Sequence, residues 1–176
     1  GNKSGLYGTS YAAAYTAGII LKLWDIVPRP IIFTFQLKDG PSQKDGWGMI
    51  GHESNGAALK PRYNVFSFID LLKGAKLTHT GDGSWVSALA FRENDTVRVL
   101  LVNVDPNGQG YNHSEQVPIT IQHAPSGTFM YRLRYLSGLD VTTTDVIEND
   151  VWQRQVYVPK NEVVLVEISH KDSLPN

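Results

Sequence analysis

The sequence contains no cysteine among its 176 residues. This absence excludes a disulfide framework, a zinc site with thiolate ligands and a cysteine nucleophile. Neither sign of charge is in excess, because 16 Lys and Arg residues stand against 17 Asp and Glu residues. We therefore expect neither a nucleic-acid partner nor a polybasic membrane contact. No apolar run reaches the roughly 18 residues of a membrane-spanning helix, so we expect no membrane span.

Apolar residues make up 41% of the sequence and charged residues 19%. This balance allows a buried core and argues against a disordered chain. The first residues are Gly1 and Asn2 rather than Met. From this start we expect the chain to be a fragment of a longer protein.

The sequence predicts two helices, over residues 10–25 and 61–73. In each, apolar residues recur three or four positions apart, which places them on one face of a helix. Ser10 is a favourable N-cap for the first helix. Pro61 suits the first position of the second, and Gly74 suits the position just after its end.

Between these helices, residues 30–37 are apolar nearly throughout. Such a run is typical of a strand buried on both faces, as in a parallel sheet. Residues 38–58 follow as a long loop rich in Gly, Ser, Asp and Lys, a kind of loop that often carries function. One helix, one such strand and one helix cannot cover each other, so we expect the tail of an α/β domain.

From about residue 80 the pattern changes to short apolar runs that are separated by turn residues. Regular short strands with such breaks are typical of an antiparallel β-sandwich. The predicted strands cover residues 84–92, 96–104, 116–123, 128–136, 151–158 and 162–169. The sequence therefore predicts two domains, residues 1–79 from an α/β domain and residues 80–176 as a β-sandwich.

Four short motifs lie along the chain in a fixed order. They are Ser-Tyr-Ala-Ala-Ala-Tyr at 10–15, Phe-Thr-Phe-Gln-Leu-Lys-Asp at 33–39, Trp-Gly-Met-Ile-Gly at 47–51 with Leu-Lys-Pro-Arg-Tyr at 59–63, and Val-Arg-Val-Leu-Leu-Val-Asn at 97–103. Together they resemble the C-terminal part of clan-A glycoside hydrolases. The resemblance is strongest to family 39, which includes β-xylosidases, iduronidases and bacterial exopolysaccharide glycosidases.

This resemblance implies a fold class: an α/β tail plus an all-β part. Residues 10–25, 30–37 and 61–73 would be the last helix, strand and helix of a (β/α)8 barrel, followed by the antiparallel β-sandwich. A whole barrel needs about 250 residues. The partner implied is therefore the N-terminal barrel segment of the same protein.

The resemblance also implies the function of a retaining glycoside hydrolase that acts on a polysaccharide or oligosaccharide. Enzymes of this kind use two glutamates, and both would lie before Gly1. The implied chain thus contributes a cleft loop and a structural sandwich, contains no catalytic residue and is inactive alone. It would need no cofactor, and a secreted or extracytoplasmic location is expected.

Barrel active sites lie at the C-terminal ends of the strands, so the loop 38–58 would face the site. Asp39 would bind a sugar hydroxyl or orient a catalytic group; the alternative is a loop carboxylate that caps a turn or meets solvent. Trp47 would stack on the apolar face of a sugar ring while His52 binds its hydroxyl groups. The alternative is that Trp47 holds its own loop against the rim of the barrel. Phe35 either forms a wall of the substrate site or belongs to the core.

Other chemistry finds little support in the residue spacing. The five histidines are scattered without ligand spacing, so we expect no metal site. No Gly-x-Ser-x-Gly elbow occurs, which argues against a serine hydrolase.

Two alternatives come from other functional classes. A non-catalytic carbohydrate-binding module would use exposed aromatic residues of the sandwich, of which the candidates are Trp85, Tyr111, Trp152 and Tyr157. A structural domain would instead assemble through the exposed faces of residues 10–25 and 30–37.

Overall fold

A computed structural model describes residues 6–27, 30–32, 36–41, 46–81, 83, 85–124 and 126–170. Within these residues the chain forms two α-helices, one 3-10 turn at Glu53–Asn55 and eight β-strands. The helices are α1 (Ser10–Ile26) and α2 (Pro61–Asp70). The strands are β1 (Ala75–Leu77), β2 (Val86–Glu93), β3 (Thr96–Asn103), β4 (Glu115–Gln122), β5 (Gly127–Tyr135), β6 (Asp140–Ile147), β7 (Val151–Val158) and β8 (Glu162–His170).

The strands form two antiparallel sheets. The larger has six strands in the order β1-β2-β3-β8-β5-β6, and the smaller pairs β4 with β7. This arrangement confirms the predicted antiparallel β-sandwich that follows a helical part. The domain boundary after residue 79 stays a prediction, and β1, which precedes it, is already the edge strand of the larger sheet.

The centre of the larger sheet is buried on both faces. Val97, Val99 and Leu101 of β3 point into a core shared with the smaller sheet. Leu100 and Val102 alternate with them and point to the opposite face, where they pack against α1 and α2. The molecule therefore has three layers, and its central strands are apolar nearly throughout because neither face meets water.

Small residues let α1 lie close to the sheet. Ala13, Ala14 and Ala17 are fully buried there. A Cβ atom on Gly18 would come within 3.3 Å of Val104. The N-cap is Thr9, whose Oγ1 accepts a hydrogen bond from the Ala12 amide.

The predicted helix ends need two corrections. Ser10 is not the N-cap because it is already the first residue of α1. The helix α2 begins at Pro61 as predicted but ends at Asp70, three residues before the predicted end. Its last turn tightens, since the Leu71 and Leu72 amides donate to carbonyl groups three residues earlier.

The predicted strand over residues 30–37 is not seen where the structure describes the chain. Residues 33–35 lie outside the description, and residues 30–32 and 36–37 form no strand. Ile31 is 83% exposed. A strand buried on both faces needs neighbouring strands. At the end of this segment the Leu37 carbonyl accepts hydrogen bonds from the Met49 and Ile50 amides, and the next residue, Lys38, forms an isolated bridge with Ile50. Neither described helix is long and apolar enough to cross a membrane.

Candidate functional site

The loop that the sequence singles out folds back on itself before it enters α2. Lys38 pairs in parallel with Ile50, and Ile50 pairs antiparallel with Leu59. The Asp39 amide donates to the Ile50 carbonyl over 2.9 Å, and the Lys60 amide donates to the Met49 carbonyl over 2.9 Å. These bonds place Asp39, the start of α2 and the segment around residue 47 side by side.

Asp39 lies at the centre of this arrangement and is only 3% exposed. Its Oδ1 accepts a hydrogen bond from the Gly48 amide over 2.7 Å, and its Oδ2 lies 2.6 Å from Lys60 Nζ. A Cβ atom on Gly48 would come within 2.6 Å of the Asp39 backbone nitrogen, so this approach requires glycine. Asp39 thus holds the loop from within, and the solvent-facing role considered for it is wrong.

The ionisation of Asp39 follows from these contacts. Burial alone would raise its pKa, but hydrogen bonds from Lys60 and from the Gly48 amide outweigh burial and hold the pKa below its ordinary value. A general acid near neutral pH needs a raised pKa. Asp39 is therefore suited to accept hydrogen bonds as a carboxylate, and not to supply a proton.

The backbone around Trp47 is held at three consecutive residues. Lys60 Nζ donates to the Gly46 carbonyl over 2.7 Å, Arg62 Nη2 donates to the Trp47 carbonyl, and the Gly48 amide is bound by Asp39. The Trp47 side chain remains 53% exposed. Its ring centroid lies 5.5 Å from that of Tyr7, with the two planes tilted by 43°. A large aromatic surface is thus presented to solvent on a fixed backbone.

His52 has local contacts. Its Nδ1 accepts from the Ser54 amide over 3.2 Å and caps the 3-10 turn. Its Nε2 lies 3.4 Å from Glu53, whose carboxylate also pairs with Lys38. The structure therefore brings Asp39 and Trp47 together through Gly48, and places His52 in a separate turn of the same loop. Phe35 lies outside the described residues.

Three further residues of this site were missed by sequence reasoning: Tyr7, Lys60 and Arg62. The last two flank Pro61 at the start of α2, where their side chains reach back to the loop. A cation on each side of a helix-starting proline, next to a glycine-rich loop, was the signal that could have indicated this role.

The aromatic residues of the sandwich do not form one exposed platform. Trp152 is 2% exposed, and its Nε1 donates to Asp145 over 2.9 Å. The interpretation of Trp152 as a binding surface is therefore wrong, since the ring packs 5.3 Å from that of Tyr131 in the core. Tyr111 is 70% exposed and Tyr157 48%. Among the described residues, no three His, Asp or Glu side chains are grouped so as to hold a metal ion.

Neither a protein-family model nor a curated protein matches the sequence. Solved structures do resemble its fold. The GH39 enzyme from Xanthomonas axonopodis pv. citri has a TM-score of 0.69 at 15% identity, over 94% of this chain. A monomeric β-xylosidase from Caulobacter crescentus CB15 has a TM-score of 0.71 at 14% identity, over 97% of this chain. A family 30 subfamily 8 xylanase from Clostridium acetobutylicum has a TM-score of 0.66 at 13% identity, over 92%.

The likeness covers only part of those proteins. This chain spans 42%, 43% and 40% of the three solved chains, respectively. Identities this low show the fold alone. At that level they confirm the resemblance that the four sequence motifs predict.

Proposed function

We propose that this chain is the C-terminal portion of a retaining glycoside hydrolase that acts on a polysaccharide or oligosaccharide. The observation that carries the proposal is the superposition of nearly the whole chain on part of several solved glycoside hydrolases, with TM-scores of 0.66 to 0.71. Two of these are named as a β-xylosidase and a xylanase. Xylosides are therefore the first substrates to test, and a secreted location belongs to the same proposal.

In this proposal the loop 38–58 lines the substrate cleft, and Trp47 stacks on the apolar face of a sugar ring. The half-exposed ring on a backbone fixed by Asp39, Lys60 and Arg62 supports that role, because a rigid aromatic surface binds with little loss of entropy. Asp39 acts through the loop and does not touch the sugar. The sandwich is structural.

The catalytic glutamates lie outside this chain in the proposal. A retaining pair needs two carboxyl groups about 5–5.5 Å apart. The described loop offers Asp39 and Glu53, and each is paired with a lysine. The chain alone is then inactive, and the N-terminal barrel segment supplies the chemistry.

Uncovered apolar residues support such a missing partner segment. Tyr15, Ile19 and Ile26 of α1 are 40%, 48% and 78% exposed, and Ile31 lies just beyond them. Large apolar side chains that are grouped at a surface mark a contact with another segment or protein.

The proposal is tested by kinetics on the longer protein that contains this chain. We expect hydrolysis of p-nitrophenyl β-xyloside or xylo-oligosaccharides, with the β-anomer formed first in proton NMR spectra. Trp47→Ala should raise KM about tenfold, the loss of one stacked aromatic contact of about 1.4 kcal/mol. Tyr111→Ala, an exposed aromatic outside the loop, is the matched control and should leave KM unchanged.

Two results would overturn the proposal. Formation of the α-anomer first would exclude the retaining mechanism. Binding of oligosaccharides without any hydrolysis would favour the non-catalytic carbohydrate-binding module.

A further inference from the structure

The smaller sheet turns one of its two faces to solvent. In β4, Val117, Ile119 and Ile121 belong to the core between the sheets. Side chains of a strand alternate between its faces, so the residues between them point away from the core. All four are exposed, and they are Gln116, Pro118, Thr120 and Gln122.

The strand β7 extends this face with the same alternation. Trp152, Val156 and Val158 are buried in the core. The outward residues are all exposed, and they are Val151, Gln153, Gln155 and Tyr157. A strand rises about 3.3 Å per residue, so the face is two strands wide and about 20 Å long. We call these eight residues of β4 and β7 the amide face.

The amide face is polar but uncharged. Both strands are fully described, and none of the eight outward side chains carries a charge. Four of them are glutamines, out of seven glutamines in the whole chain. A solvated surface normally includes Lys, Arg, Glu or Asp. Among the described residues, no protein group is hydrogen-bonded to these four glutamine side chains, so their amides are free to bind a ligand.

An aromatic ring lies among the amides at one end of the face. Gln116 is directly opposite Tyr157, and Pro118 is directly opposite Gln155. The two apolar rings are therefore diagonal neighbours, and the two amides flank them on the other diagonal. Tyr157 is 48% exposed. Its carbonyl group accepts a hydrogen bond from the Tyr135 hydroxyl over 3.0 Å, which ties its backbone to the larger sheet.

This arrangement matches the chemistry of an uncharged sugar chain. A pyranose ring has an apolar face that packs on an aromatic ring, and its hydroxyl groups both donate and accept hydrogen bonds. A glutamine amide also does both, whereas a carboxylate only accepts and an ammonium group only donates. The length of the face suits an extended chain of several sugar rings.

We propose that the amide face binds an uncharged polysaccharide chain. Tyr157 stacks on one sugar ring, and Gln116 and Gln155 bind the hydroxyl groups on either side of it. The inference rests on the proposed function, because that function supplies the polysaccharide, with xylan as the first case. It adds a binding role to the structural role of the sandwich.

The amide face lies on the outermost of the three layers. The larger sheet separates it from α1 and α2. The loop that carries Trp47 is bound to the start of α2. The amide face therefore holds the polymer on the other side of the larger sheet, without forming part of that loop.

Other partners fit this face less well. An apolar protein surface would bury the glutamine amides without hydrogen bonds, which is unfavourable. A nucleic acid would need cationic side chains for its phosphates, and the amide face has none.

Adsorption of the longer protein to insoluble arabinoxylan, an uncharged xylan, tests the proposal. Every protein carries Trp47→Ala, so that stacking in the cleft loop does not contribute. Tyr157→Ala should weaken adsorption about tenfold by removing the stacking ring. Gln155→Ala should weaken it about fivefold by removing one hydrogen-bonding amide.

The matched controls are Val141→Ala and Thr143→Ala. They replace one apolar and one polar exposed residue of β6, which belongs to the other sheet. Both should adsorb as strongly as the parent protein. Adsorption of the parent should also persist at an ionic strength of about 1 M, where charge interactions are screened beyond about 3 Å.

The thermal midpoint shows whether each variant folds. If Tyr157→Ala lowers it, Gln155→Ala and Gln116→Ala carry the test, since they shorten exposed side chains that no protein group binds. Equal adsorption of the parent and these variants would overturn the proposal. A native mass that is dimeric in the parent and monomeric in Tyr157→Ala would identify a second copy as the occupant and overturn it as well.

The adsorption result is separable from the proposed function. Hydrolysis of xylosides with adsorption that does not depend on Tyr157 or Gln155 would keep the function and reject the binding face. Adsorption that depends on these residues, without hydrolysis by the unmodified longer protein, would keep the binding face and reject the function.

Discussion

Asp39 and Lys60 are the residues that set the position of the candidate cleft loop. A buried ion pair contributes little net stability, because the loss of hydration offsets most of the attraction between the charges. Removing one partner is costly, since the other charge is left buried. The pair therefore acts mainly to select one arrangement, in which Gly46, Trp47 and Gly48 are held against the start of α2.

Asp39→Asn tests this role. The amide can still accept from the Gly48 N–H, but it leaves Lys60, which is 9% exposed, without its counter-charge. We expect the free energy of unfolding, measured with urea at pH 7, to fall by about 3 kcal/mol. Glu53→Gln is the matched control, because it breaks the exposed pair with Lys38, in which Glu53 is 65% exposed, and should cost less than about 1 kcal/mol.

The difference in stability between the wild type and Asp39→Asn should depend on pH and decrease as the pH falls. The folded pKa of Asp39 is held below its ordinary value. Its carboxylate therefore stabilises the fold above the unfolded pKa of about 3.9, and this contribution is lost as the pH falls through the folded pKa. The stability gap between the wild type and Asp39→Asn should close below pH 4. A gap that stayed constant to pH 2 would show that ionised Asp39 does not stabilise the fold.

Sequence reasoning at this scale identified the loop but not its internal contacts. Asp39 and Trp47 were selected by their residue types and their place after an apolar run. The burial of Asp39 depends on Lys60, 21 positions away, and no local pattern reports such a contact. Trp152 illustrates the same limit. The sequence shows an aromatic residue on a strand, but it does not show whether another sheet packs on that face of the strand.

At the scale of elements, the passage from α2 to β1 depends on Gly74. This residue has a φ of +88°, and a Cβ atom there would lie 2.1 Å from the Arg92 carbonyl oxygen. The close approach brings the start of β1 against the end of β2. It fixes where the helical layer meets the edge of the larger sheet.

Gly74→Ala should therefore lower the free energy of unfolding by more than the cost of placing alanine at a positive φ, because the new Cβ atom also meets Arg92. Gly138 provides the comparison, because its φ is +91° and a Cβ atom there meets nothing within 4 Å. We expect Gly138→Ala to cost about 1–2 kcal/mol and Gly74→Ala at least about 2 kcal/mol more in urea unfolding. Equal losses would mean that the contact with Arg92 relaxes without cost.

The sequence predicts well the helices and strands that bury one face or that begin or end at a residue such as proline or glycine. Pro61 marked the start of α2, and six of the eight strands were found within a few residues of their bounds. The strand β6 was missed because residues 140–144 are all exposed. Their sequence therefore lacks the alternation of apolar and polar residues that indicates a strand with one buried face. Its run of Val and Thr residues, which favour strands, was the available signal.

Residues 30–37 show the opposite case. Their apolar character predicts burial on both faces, whereas the described Ile31 and Leu37 are exposed. An apolar sequence shows that burial of these side chains would be favourable. Whether they are buried depends on other parts of the chain that pack against them. Here the expected neighbours would come from the barrel segment that the proposed function places outside this chain.

At the scale of the whole molecule, two surfaces lack cover among the described residues. One is the outer side of α1 with Ile19 and Ile26, and the other is the groove that β4 and the inward face of β2 and β3 line. They lie on opposite sides of the larger sheet, since α1 packs on one face and β4 on the other. The longer polypeptide of the proposed function, which supplies the rest of a barrel, would cover the outer side of α1.

The most direct test of this account is the intact mass of the protein isolated from its source, under native and denaturing conditions, with xyloside hydrolysis assayed on the same sample. The account predicts that this sequence occurs in a polypeptide or complex larger by about 200–300 residues, enough for the rest of a barrel, and that hydrolysis accompanies that species. A stable 19.5 kDa chain, alone and without hydrolysis, would contradict it.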